Sequence, residues 1–425
     1  MPHKQLVIPI EVLRKMLRLS HASQAETLCA QPQVLSACKN KFTKLVSVLC
    51  PYRRGLLLLL WPISTLIIEF AAANPHFTEH IYSRGIYSVL AGIFGRLFGI
   101  FSFSVAEILF YVMLISMILY TVLQTIGLIK RRDRKQRILR ILATAGCMMG
   151  ISYFMFTMLS GLNYHRLTFA EQSGLDVRPS SAQELGLLYE ELIERANYLR
   201  TLVNVDEDGV MVFYPYSIHD VARRAPEGIE RLAEQYPVFD GFVPPPKPVL
   251  SSRGLSMLNI AGIYIPFTFE ANVNADLPHY IIPFTMLHEL SHFKGFMRED
   301  EANFIAYLAA REMDCPAFRY SGVMMALIYT GDALYNIDRE LFFELNRQID
   351  DAVWLDFAHS REFWAQFEGS ETIAQIVVGV VAINHLYLLH NRQDDGVHSY
   401  GRMVDLLMAD YHIRHGLIDS YITDS

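Results

Sequence analysis

Apolar residues are distributed along the chain in two patterns. Between Gly55 and Gly161 they run almost unbroken, whereas beyond Leu162 they recur at helical spacing among charged and polar positions. A helix that crosses hydrocarbon needs about 20 consecutive apolar residues, and three stretches meet that length, at 55–73, 105–129 and 138–160. The run 86–103 is also apolar but is interrupted by Gly92, Arg96 and Gly99, which predicts a half-buried interfacial or re-entrant helix rather than a fourth span. Past the apolar region, Ser181-Ala182-Gln183-Glu184 has the form of a capping box, and Leu185, Leu188, Leu192 and Ala196 then mark one face of a helix. Pro226 and Glu227 open a further helix toward Gln235. The run Pro244-Pro245-Pro246-Lys247-Pro248 predicts a stiff connector between two lobes. Ile260 to Asn272, punctuated by Gly262 and Pro266, is the best strand candidate. Segments 1–54, 55–162 and 163–425 are therefore expected to be an N-terminal segment, a membrane domain and a globular domain.

Charge orients this arrangement. Arg53-Arg54 precedes the first apolar stretch after Lys39, Lys41 and Lys44, and the loop from Lys130 to Arg137 is strongly basic. The positive-inside rule places both on the cytoplasmic side, so three spans put everything after Leu162 on the outer face, and a fourth would invert it. Glu69 and Glu107 fall near outer ends of their spans, where interfacial solvation accounts for them. The 425 residues are 52% hydrophobic and 19% charged, in keeping with partial solvation by lipid. A net charge of -7 without a broad basic stripe excludes nucleic acid as a partner. Cys315 stands alone in the C-terminal domain, which leaves no disulfide to staple it and no cysteine cluster to bind metal. The N-terminus lacks the features of a cleaved secretory signal and is expected to be retained.

The chemistry concentrates at His288-Glu289-Leu290-Ser291-His292. Residues four apart share a helix face, so His288 and His292 can offer two imidazole nitrogens to one ion, the arrangement of a zinc site. Glu289 is turned roughly 100° away, which suits a general base better than a ligand. Gly295 follows, where the chain can turn back, and then Arg298-Glu299-Asp300-Glu301-Ala302-Asn303-Phe304 opens a second helix through Ala310. Catalytic zinc takes a third protein ligand and leaves a position open. Glu299 is the first choice, with Asn303 one turn on to support a histidine ligand from behind, and Glu301 is the alternative. Asp300 is either solvent-facing or an orienting acid. His219, His279, His385, His390, His412 and His415 read as surface or capping residues. His398 and Tyr400, in His398-Ser399-Tyr400-Gly401-Arg402, are candidate donors to an oxyanion, with Arg402 a further candidate, each weighed against simple packing.

At these residues the sequence resembles an uncharacterised family of bacterial membrane-anchored proteins, known as a domain of unknown function with a zinc-peptidase motif. The resemblance runs from the first span to Asp410. It rests on Gly161-Leu162-Asn163-Tyr164, Gly262-Ile263-Tyr264-Ile265-Pro266-Phe267-Thr268 with Glu270-Ala271-Asn272-Val273-Asn274, the His-Glu motif, Asp300 to Phe304, and Ser399 to Leu407. The Glu299 to Asn303 spacing is also similar to the element that supplies the third ligand in gluzincin-like peptidases. Those place a longer insertion after the second histidine, whereas Glu299 follows His292 by only seven positions, which keeps Glu301 in play. The fold this implies is mainly α: three N-terminal transmembrane helices, then a mostly helical zincin-like α+β domain with a small sheet beside the His-Glu helix.

The expected activity is zinc-assisted hydrolysis of a peptide or protein substrate outside the cytoplasmic membrane, with Glu289 as base. The strand from Phe267 to Asn272 could receive an extended peptide at its edge, and Glu270 would hold that strand or, less simply, meet a substrate amino group. The rival expectation is a membrane sensor or scaffold that uses the zinc domain with little proteolysis. The presence of Glu289 in the motif speaks against it, because metal binding alone needs no base at that position. A transporter is disfavoured by the lack of paired charges in the spans.

Overall fold

The computed structural model of the chain describes residues 57–130, 134–213, 215–368 and 402–416. The two longest apolar runs form helices α3 (Val105–Lys130) and α4 (Arg134–Leu159), each of 26 residues. At 1.5 Å per residue each is about 39 Å long, enough for a hydrocarbon layer of about 30 Å. Most of their large apolar side chains are exposed, which is costly in water and natural in lipid. The first apolar stretch departs from expectation. Its helix, α1 (Leu60–Ala73), has 14 residues and spans only about 21 Å. It ends at Ala73 as expected, where Asn74 leaves the helical conformation ahead of Pro75, whose ring disfavours helix at the preceding residue, and it falls short only at its start, Leu60. Two helices among the described residues, not three, are therefore long and apolar enough to cross a membrane.

The run 86–103 forms α2 (Ser88–Gly99), entered through a π-helical segment, Thr78–Tyr87. Tyr87, Ala91 and Gly95 are buried, while Ile86, Val89, Ile93, Leu97 and Ile100 form an exposed stripe. This is the half-buried helix that the sequence predicts.

The described residues form two compact units, 57–61 with 135–151, and the remainder. All that follows concerns the second. It holds α5 (Ala182–Arg200), α6 (Ile218–Ala233), α7 (Ile282–Phe293), α8 (Glu299–Glu312), α9 (Pro316–Ile337), α10 (Asp351–Glu368) and α11 (Met403–Arg414), with shorter helices between. Ser181 and Glu184 make the predicted capping box. The helix expected to open at Pro226 instead begins at Ile218, capped reciprocally by Ser217 and Asp220, and Pro226 lies inside it. A cap satisfies orphan N–H groups and sets the start, while the proline forfeits one internal bond.

A three-stranded sheet lies beside α7, in the order β1 (Lys247–Pro248), β3 (Glu270–Val273), β2 (Gly262–Ile265). The predicted single strand from 260 to 272 is thus a hairpin, with β2 and β3 antiparallel and Gly262 opposite Val273. The connector at 244–248 does not separate two lobes. Its end is β1, parallel to β3, and one hydrophobic core runs from Leu185 through Phe239 to Phe304 and Leu407.

Carboxylates tie the sheet to the head of α3. Glu270 accepts from the backbone N–H groups of Val105 (3.1 Å) and Ala106 (2.6 Å) and is paired with Lys247. Glu107, expected to be merely solvated, accepts from the N–H groups of Leu250 (2.8 Å) and Ser251 (2.9 Å). The four donors hold each element against the other. Of the histidines expected as surface or capping residues, partly buried His279 stacks on Phe213 at 4.5 Å and accepts from its N–H (3.1 Å), whereas His412 is buried, 3.2 Å from Glu184.

Candidate metal centre

Helix α7 is buried along nearly its whole length, so its polar residues must find partners inside the protein. His288 and His292 lie one turn apart, with rings 4.6 Å from centre to centre. Each ring is fixed through Nδ1: that of His288 is 2.8 Å from Asn303 Oδ1, and that of His292 is 2.7 Å from the carbonyl of Phe296. Both acceptors are oxygens, so Nδ1 donates and each Nε2 is presented to the site. The turn that brings the Phe296 carbonyl back depends on Gly295, whose φ is +86°. A Cβ there would also meet Arg166 Nη1 and Tyr87 Cε1 at 3.1 Å.

Glu299, at the first position of α8, completes the group. Its Oε2 is 3.2 Å from His288 Nε2 and 3.7 Å from His292 Nε2, and the three ligand atoms lie within 4.8 Å of one another. Burial lowers the proton affinity of His292, but Glu299 outweighs it and raises the group to about 9. Burial acts on Glu299 in the raising direction and is overcome by the two imidazoles, which hold its carboxyl well below the ordinary range. Positive charge at the centre of this group is thus strongly favoured. Two imidazole nitrogens, preset by hydrogen bonds from behind, and a carboxylate make a group that could hold a metal ion, in a combination of donors that suits zinc.

Glu289 sits beside the group without joining it. The side chain is 4% exposed, its Oε2 has no hydrogen-bond partner, and burial raises its pKa above the usual carboxylate value. It is confined by β2, since a Cβ on Gly262 would lie 2.5 Å from Glu289 Oε1. A buried, underused carboxylate with raised proton affinity is suited to accept a proton from water.

Glu301 points elsewhere. It accepts from the N–H of Phe169 (2.9 Å) and from Arg298 (3.1 Å), away from both histidines. Asp300 faces Arg402 at 3.5 Å, and neither lines the cavity that holds the histidines. His398 and Tyr400, together with His385 and His390, lie outside the described residues. Glu270 serves the head of α3, as given above. The peptide-receiving edge assigned to Phe267–Asn272 is also corrected: β3 is the central strand, hydrogen-bonded on both sides, and the edge nearest the histidines belongs to β2.

That cavity has a volume of about 830 Å³, in the range of ligand pockets. Its walls include β2, the three candidate ligands and, from the end of α4, Phe156 and Ser160. Two tyrosines given no chemical role by the sequence stand here. Tyr87 donates to the carbonyls of His292 and Phe293 (3.2 and 3.1 Å), so the Tyr264 hydroxyl, 3.0 Å from Tyr87, spends its proton on Tyr87. Tyr329 accepts from Asn303 Nδ2 at 3.4 Å, which leaves its own O–H free to donate into the cavity. Burial and the nearby Glu299 raise it to about 12, so it remains protonated. Tyr329 lies within an apolar run of α9, where helical periodicity marks it as an ordinary core position.

No curated protein and no solved structure matches the chain. One family does match, over residues 82–408, which takes in the half-buried helix α2, both long apolar helices, the hairpin and the histidine helix: the chain belongs to the family described as "Protein of unknown function (DUF3810)".

Proposed function

We propose that this protein is a membrane-anchored zinc metallopeptidase that hydrolyses peptide bonds on the outer side of the cytoplasmic membrane. The observation that carries the reading is the convergence of His288, His292 and Glu299 beside Glu289, whose Oε2 has no hydrogen-bond partner. His288, His292 and Glu299 would hold the ion, and Asn303 and the Phe296 carbonyl keep the two rings aimed. Bound zinc supplies Lewis acidity, lowering the pKa of water toward about 7 and polarising a carbonyl. Glu289 takes a proton from the attacking water and returns it to the departing amine. Tyr329 is placed to donate to the oxygen on which charge develops. The outer edge of β2, where the Tyr264 N–H is already given to Glu289, offers its remaining backbone groups to an extended peptide laid across the cavity.

Topology supports the outer location. The basic residues between 130 and 137 lie where α3 gives way to α4, while the opposite ends of these helices, Val105 and Leu159, adjoin the sheet and the cavity. With the basic end inside, the site lies outside whether or not α1 crosses. The zincin-like character of the fold belongs to this same proposal and is supported by the pairing of a short sheet with the histidine helix.

The test is metal analysis of detergent-purified full-length protein, followed by hydrolysis of a quenched peptide library. About one zinc per chain is expected, with Glu289→Gln keeping the zinc and losing about 10²–10⁴-fold in rate. Metal-free wild-type protein would refute the centre. Unchanged hydrolysis in Glu289→Gln would refute the enzyme and favour a sensor.

A further inference from the structure

A second cavity, of about 480 Å³, opens between α2 and the globular part, separate from the histidine cavity. Arg84, Arg96, Arg166 and Lys294 line it, with Asp240 the one carboxylate in its wall. Arg84 and Arg166 share Glu79 beneath the cavity, both at 2.8 Å. The other two cations have carbonyls for partners. Arg96 donates to the Gly92 carbonyl (2.8 Å) and lies over the Phe242 ring, and Lys294 donates to the Asp240 carbonyl (2.8 Å). No carboxylate approaches either within ion-pair distance among the described residues. An ammonium has three donors and a guanidinium five, so both retain N–H groups for an anion.

The lip of the cavity is apolar. Val89 and Ile93 line it and belong to the exposed stripe of Ile86, Val89, Ile93, Leu97 and Ile100, each at least half exposed. A ligand with its anion against Arg96 and Lys294 would extend an attached chain along that stripe. We propose that this cavity is a binding site for the phosphate headgroup of an anionic phospholipid, whose acyl chains cover the stripe of α2. Arg96 and Lys294 contact the phosphate, in the bidentate and point-charge manners of the two residue types. Asp240 and Ser88 accept from headgroup hydroxyls, which favours a glycerol headgroup over a choline. The cavity volume lies within the range of small-ligand sites. The proposal does not depend on the metal centre.

Native mass spectrometry of the full-length protein in detergent tests it, with phosphatidylglycerol and phosphatidylcholine of identical chains. One phosphatidylglycerol per chain should bind at least 10-fold more tightly than phosphatidylcholine. The double variant Arg96→Gln/Lys294→Gln should lose that preference, Arg96→Lys should keep most of it, and Arg253→Gln, remote from the cavity, should keep it fully. Equal binding of the two lipids by the wild-type protein overturns the proposal without recourse to any variant, as does an unaltered preference in a folded double variant. Glycerol 3-phosphate separates the sources: stabilisation against heat equal to that given by phosphatidylglycerol at the same concentration would make this a soluble-anion site and remove the lipid.

Discussion

Gly262→Ala tests whether the sheet sets the position of the base. A Cβ at residue 262 would fall 2.5 Å from Glu289 Oε1, 2.8 Å from Thr285 Cγ2 and 2.9 Å from Glu289 Cγ. These distances are about 1 Å inside ordinary contact, and three atoms on one buried helix cannot all yield by rotation. Either Glu289 is displaced or β2 lifts from α7. Overpacking of this kind costs about 1–3 kcal/mol, and each kcal/mol lowers Tm by about 2–4 °C in a domain of this size. A displacement near 1 Å at the base would reduce peptide hydrolysis about 10²-fold. Zinc content should not change, because Gly262 presses on the base and not on an imidazole. Ile263→Ala, at an exposed position one residue on, serves as the control and should stay within about 0.5 kcal/mol of wild type. The measurements are Tm, bound zinc and hydrolysis rate in the same detergent. A Gly262→Ala protein with wild-type Tm and rate would refute the claim that β2 confines Glu289.

Glu299→Ala should lose zinc, whereas Glu301→Ala should keep it but fall by about 1–3 kcal/mol in stability, because the Phe169 N–H and Arg298 lose their acceptor; metal analysis and thermal melts separate the two. Asn303→Ala removes the acceptor behind His288 and should weaken zinc binding about 10–100-fold in a competitive chelator titration. Tyr329→Phe should keep zinc and KM while lowering kcat, and an unchanged kcat would remove its assigned role. The Glu79–Arg166 pair should make stability depend on acid. Burial alone would raise the Glu79 pKa, but Arg166 and Arg84 hold it below its ordinary value of 4.5. A depressed pKa contributes stability that is complete above the unfolded value and is lost as pH falls through the folded one. The Tm gap between wild type and Glu79→Gln should therefore be constant near neutrality and narrow below about pH 4.5.

What the sequence discloses about the centre is what lies within a turn of helix. His288, Glu289 and His292 belong to one helix, so period alone separates the candidate ligands from the candidate base, and Glu299 and Asn303 follow from the same reasoning on the next helix. Contacts between distant residues leave no such trace. Glu270 and Glu107 read as a strand residue and a solvated acid, yet each finds its backbone donors more than 140 residues away. The Ile260 to Asn272 segment has strand composition throughout, but which half forms the edge depends on where β1 pairs. The apolar stretch 55–73 has the composition of a span and its helix ends at Ala73 as expected, but the regular helix begins only at Leu60, which composition does not reveal.

The clamp between the sheet and the head of α3 has a mechanical consequence. A peptidase on a flexible tether sweeps a hemisphere above the bilayer and can meet a target at any height. Here Glu270 bolts the sheet to Val105 and Ala106 at the head of α3, Glu107 of α3 holds Leu250 and Ser251 just after β1, and the cavity shares a wall with the last turn of α4. In the proposed bilayer setting the cavity keeps a constant altitude, at the level where α4 ends. Such a tool selects by depth: the segment of a neighbouring protein that emerges at that level is offered to the cavity whatever its sequence, and a segment projecting farther out passes above it.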